Sequence, residues 1–170
     1  MFAKNCFILM LMLLTSHFLS AQNFDLEEKK PVTENGFEYG YNIKNEQVKE
    51  AKGEEYSRFE ITFYITNNSG CTKLYELRNG GFDSDPNLLA IFNCSNANGK
   101  RFTSKSGKIL AKDFYLNVKR KVNDKETSET VKGGFIFRNG ETLRTNIIVL
   151  VPKGERPVIQ CSVNNPVELR

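Results

Sequence analysis

The chain has 170 residues, 39% of them hydrophobic, with 24 basic against 20 acidic side chains and a formal net charge of +4. That length suits one domain with its own core, and a charge excess this small, with no recognised nucleic-acid module beside it, does not argue for nucleic acid as a partner. There is one histidine, His17, and no tryptophan.

The first elements are a positive residue, Lys4, a compact apolar run from Cys6 to Leu14, and Leu19-Ser20-Ala21 ahead of Gln22. This reads as an export signal over residues 1–21, cleaved to leave one domain over residues 22–170. The run is shorter than the roughly 20 apolar residues of a membrane-spanning helix, and Thr15, Ser16 and His17 interrupt it. Cys6 precedes the apolar run behind a charged lead-in, which does not suit lipid attachment. The expectation is an exported protein, periplasmic or extracellular, with no transmembrane segment after cleavage. His17 lies in the signal, so Ser-His or Cys-His catalysis and histidine-bound metal have no residue to use in the remainder.

Beyond Gln22 the dominant period is two. Phe37 to Ile43 is rich in aromatic and branched residues, and Lys52-Gly53-Glu54 reads as a hairpin turn into the next strand. Asn45 to Ala51 reads as strand, with a short helix capped by Asn45 as the alternative. In the clearest stretch, Phe59, Ile61, Phe63 and Ile65 share one face and Arg58, Glu60, Thr62 and Thr66 the other, which predicts a half-buried strand ending at Asn67-Asn68-Ser69-Gly70. Further strands are predicted at Cys71–Leu77, Leu88–Cys94, Arg101–Ser104 and Ile109–Val122, the last ended by the polar run Asn123–Thr130. Phe135-Ile136-Phe137 and Leu143–Val151 flank the turn Asn139-Gly140, Gly133-Gly134 invites a bulge, and Val158–Val163 closes the series.

Seven to nine short strands without a long helix predict an all-β, antiparallel two-sheet sandwich. The passage Phe137-Arg138-Asn139-Gly140-Glu141-Thr142-Leu143, running into Ile147–Val151 and Pro152, resembles the turn and late strand of bacterial immunoglobulin-like and fibronectin-like domains. The chain as a whole is similar to small secreted proteins of Gram-negative bacteria. The resemblance implies an immunoglobulin-like fold serving adhesion, scaffolding or ligand binding, and assigns no functional residue.

Cys71, Cys94 and Cys161 follow the signal. An oxidising compartment favours a bridge, and Cys71 with Cys94 is the expected pair because each lies at a strand end; a loop of this length would be worth about 3 kcal/mol. Cys161 is then expected as a buried thiol.

Candidate chemistry is sparse. Asp83-Ser84-Asp85-Pro86-Asn87 alternates oxygen ligands as calcium requires, yet Leu88 and Cys94 stand where an EF-hand needs Gly and Glu, so a plain turn is expected and no metal. Lys105-Ser106-Gly107 matches one motif of penicillin-binding serine enzymes, but no Ser-x-x-Lys accompanies it. No phosphate-cradling loop occurs, and no cofactor is expected. Lys100 to Lys125 carries nine basic residues against Asp113 and Asp124, which fits either the solvent face of strands or a surface for acidic polysaccharide. Tyr64 and Tyr115 lie on the polar faces of their strands, and with Lys119 and Lys121 they form the candidate ligand face; cross-strand packing is the competing role. The expected function is a non-catalytic binding or structural module of the bacterial envelope, meeting an envelope protein or acidic polysaccharide. The alternative is a small hydrolase using paired carboxylates.

Overall fold

A computed structural model of the chain describes residues 22–51, 53–77, 85–96, 106–123, 125–164 and 166–169. The export signal expected at 1–21 and the strand expected at 101–104 lie outside them. The described residues form eleven strands and no helix: β1 Gln22–Leu26, β2 Val32–Glu34, β3 Phe37–Ala51, β4 Glu54–Asn67, β5 Lys73–Tyr75, β6 Leu88–Ser95, β7 Gly107–Leu110, β8 Lys112–Val122, β9 Lys125–Phe137, β10 Thr142–Pro152 and β11 Val158–Val163. All pairings are antiparallel, in three sheets ordered β1-β11-β6-β7, β10-β4-β3-β2 and β5-β9-β8.

The first two sheets pack face to face, because alternation gives each an apolar side to bury. Phe59, Ile61, Phe63 and Ile65 of β4 are almost completely buried, as the sequence predicts. Phe63 stacks on Phe92 of β6 with centroids 4.6 Å apart, and Tyr39 of β3 meets Phe24 of β1 edge to face at 5.4 Å. Gly107 of β7 lets the layers approach closely: a Cβ there would sit 2.7 Å from the Phe63 ring.

The third sheet runs off the sandwich. β9 is exposed from Lys125 to Thr130 and buried from Gly134 to Phe137, so its early part forms a two-stranded ribbon with β8 while its end enters the core. Phe137 stacks on Phe37 of β3 at 5.8 Å. The predicted bulge is present, because Phe114 pairs with Gly134 and Tyr115 with Lys132, leaving Gly133 over.

Three expectations are corrected. The polar run after Asn123 is a strand and not an end, with Asn123 itself in the turn at φ 51°. Eleven strands replace seven to nine, chiefly because short β1, β2 and β7 carry too few residues to show a period. Cys71 and Cys94 are not bridged, and all three described cysteines are free thiols. Cys71 is exposed in the loop beyond the Asn67 end of β4, whereas Cys94 lies past Phe92 on β6, buried opposite Ile159. A bridge needs Cα atoms within about 7 Å, and most of the length of β6 separates these two positions. Cys161 is buried as expected, and Cys94 shares that state.

Candidate functional site

The β2–β3 hairpin turns at Asn35-Gly36, with φ of 50° and 79°, the left-handed pair that a tight hairpin demands. Its tip packs against the loop after β4: the Asn68 amide donates to the Gly36 carbonyl at 2.8 Å, and a Cβ on Gly36 would fall 2.7 Å from the Ser69 Cα. This brings Phe37 and Tyr39, which alternate along β3, to one end of the sandwich.

β5 arrives at the same end from the third sheet. Lys73 and Tyr75 point to one side of this short strand, and Leu74 to the other. Outside it lies a strap, residues 166–169, held by Glu76 N–H to Val167 O and Leu169 N–H to Leu74 O, both 2.9 Å. Asn164 anchors the strap's approach: its backbone amide donates to Leu89 O and its side-chain amide to Leu88 O, each at 2.9 Å.

Between these elements is a concavity of about 350 Å³. Its inner wall is apolar and aromatic, from Phe37, Tyr39, Ile65, Tyr75, Leu89 and Phe137. Its outer wall is polar, with Asn35, Lys73, Asn164 and Glu168 beside Pro166. The Lys73 ammonium lies 3.0 Å from the Glu168 carboxylate and ties β5 to the strap. The hydrogen bond to Glu168 raises the Lys73 pKa, against a smaller opposing effect of burial. Burial raises the Tyr39 phenol above its ordinary value, and neighbouring Cys161, Tyr75 and Glu34 add to the shift. Burial does the same at Tyr75, with Glu168 and Cys71 contributing. Both phenols are therefore neutral over the physiological range, and the two full charges at the rim oppose each other.

The predicted ligand face falls elsewhere and divides. Tyr64 lies on the outer face of the second sheet with its ring over Gly40, where a Cβ would come 2.4 Å from the Tyr64 hydroxyl. That is the cross-strand packing role, a tyrosine covering a strand glycine. Tyr115 is 56% exposed on β8, and its hydroxyl donates to Asp113 at 3.2 Å, the carboxylate that Lys132 engages at 2.7 Å. Lys119 and Lys121 share the Tyr115 face of the ribbon, remote from Tyr64 in the sheet order. The basic stretch is partly neutralised: Lys108 meets Asp85 at 2.9 Å, Lys112 contacts Glu141, and Arg120 stands 3.8 Å from Glu129. Of the calcium-like loop, Asp83 and Ser84 lie outside the described residues, while Asp85 and Asn87 are committed to Lys108 and to the Ala111 carbonyl. Among the described residues no cluster of His, Cys, Asp or Glu could hold a metal.

Sequence reasoning singled out Tyr64 and Tyr115 and missed the pocket that Tyr39 and Tyr75 line. The available signal was Asn35-Gly36 ahead of alternating Phe37, Tyr39 and Tyr41, a hairpin marker that would have placed these rings at a sheet end. Comparison with family models, curated proteins and solved structures returned no match.

Proposed function

We propose that the protein is an exported, non-catalytic binding module that holds a small neutral ring, a saccharide above all, in the Tyr39–Tyr75 pocket. The observation that carries this is the composition of the pocket's two walls. Buried aromatic faces suit the apolar side of a sugar ring, while amides, phenols and a mutually neutralised ion pair suit hydroxyl groups without selecting for charge. About 350 Å³ lies at the lower end of the roughly 300–1,000 Å³ typical of ligand sites. Export rests on the reading of residues 1–21. The immunoglobulin-like relationship belongs to the same proposal: two packed four-stranded sheets are compatible with it, and the third sheet is an addition to it. A paired-carboxylate hydrolase is less well supported, since Glu168 is the one carboxylate among the described lining residues.

The test is saturation-transfer NMR with neutral mono- and disaccharides, and with hexuronic acids for comparison. Neutral sugars should bind, and Tyr39→Phe and Lys73→Met should each weaken binding about tenfold, the equivalent of one lost hydrogen bond. Preference for the uronic acids, or binding indifferent to both substitutions, would overturn the assignment.

A further inference from the structure

An edge strand presents unpaired amide and carbonyl groups, and proteins blunt such edges with short length, charge or proline. Here the edges differ sharply. β1, β2 and β7 span three to five residues, β5 is covered by the strap, and β8 carries Lys112, Asp113, Lys119, Arg120 and Lys121. β10 is the exception. It is eleven residues long, Thr142–Pro152, its one charged side chain is Arg144, and among the described residues no strand pairs with its outer edge. Ile148 and Leu150 on its outward face are 51% and 52% exposed.

We infer that β10 pairs antiparallel with β10 of a second copy of this chain, joining the two β10-β4-β3-β2 sheets into one. The side chains argue for this occupant. A two-fold axis normal to the sheet at Val149 keeps inward faces together and sets Ile148 of each copy opposite Leu150 of the other, so all four exposed apolar groups cover one another. On the inward face the same register sets Ile147 opposite Val151 of the second copy. Asn146 meets Pro152, whose missing N–H ends the ladder there. No like charges face each other, because Arg144 lies beyond the paired segment. The Asn146 side-chain oxygen already accepts from the Thr62 hydroxyl within its own sheet, at 2.6 Å. An isologous contact of this kind closes on itself and stops at a dimer, so the β10 edge is used up and does not propagate the pairing.

Sedimentation across a concentration series tests the inference. The protein should be a dimer, and the Ile148→Lys/Leu150→Lys variant should be a monomer with an unchanged circular dichroism spectrum, since both side chains already face solvent. In a Cys71→Ser background, mixed Ile148→Cys and Leu150→Cys proteins should form a disulfide-linked dimer on oxidation, while neither alone does. A monomeric protein, or a dimer indifferent to the lysine pair, overturns the proposal. Cross-linking by Leu150→Cys alone as readily as by the mixture overturns the register and, with it, the pairing argued here. None of these readouts depends on the saccharide assignment.

Discussion

Gly134 sits directly beneath the backbone of Tyr75: a Cβ on residue 134 would lie 2.3 Å from the Tyr75 carbonyl oxygen, and its φ of 151° is one that L side chains rarely adopt. The glycine therefore sets how closely β9 approaches β5 and where the Tyr75 ring stands. Gly134→Ala should cost about 1–3 kcal/mol in denaturant unfolding. It should also weaken ligand binding more than Gly140→Ala does, because Gly140 has open space around its Cβ position.

Asn67 is completely buried and uses its whole side chain. Its amide nitrogen donates to Phe137 O at 2.9 Å and Cys71 O at 3.0 Å, while its oxygen accepts from the Ser69 amide and hydroxyl. Asn67→Ala should lower stability by about 1–3 kcal/mol by removing the buried donor to the Phe137 carbonyl and the acceptor of the Ser69 amide. Asn67→Asp should cost more, since it removes both donors and brings a carboxylate towards two carbonyl oxygens. Thermal melts of the two variants check the order.

Burial pushes the Cys94 and Cys161 thiols up to about 12. Of Cys71, Cys94 and Cys161, native protein should therefore expose one thiol, Cys71, to a thiol reagent at mildly alkaline pH, and unfolded protein all three. An unfolded thiol titrates near 9, so between about 9 and 12 the unfolded state loses a proton that the native state keeps. Stability should fall with rising pH across that window, by up to about 1.4 kcal/mol per pH unit for each thiol. Replacing both with alanine should flatten that part of the profile, measured as denaturation midpoint against pH.

Phe63 and Phe92 join the two sheets through their stacked rings, and neither is exposed to solvent. Phe92→Ala should cost about 3–5 kcal/mol, the usual result of emptying an aromatic site in a close-packed core. Phe92→Leu should recover part of the loss in the same denaturation assay.

How far the sequence could be read follows from where the core constrains it. Phe59 to Thr66 was legible because every second side chain had to enter one core, and Gly133-Gly134 because paired glycines in a strand mark an irregular ladder. The first half of β9 was not, since Lys125 to Thr130 is polar on both faces and a ribbon without a core leaves no period. The pocket was hidden for a different reason. Its walls come from Phe37, Lys73, Tyr75, Leu89, Phe137 and Glu168, which only the sheet pairings bring together. The Cys71–Cys94 bridge failed because a position at a strand end does not say which end of the sandwich it occupies.

The pairing of β1 with β11 sets Leu26 opposite Ile159, with β6 on the far side of β11 setting Cys94 opposite the same residue. Neither contact can form until almost the whole intervening chain has been gathered, and the entropy of closing such loops is lost before any of the pairing energy returns. Refolding should therefore be slow, on the order of milliseconds to seconds as in other sandwiches. During that interval the β3–β4 and β8–β9 hairpins, whose partner strands are adjacent in sequence, are the pieces able to form first.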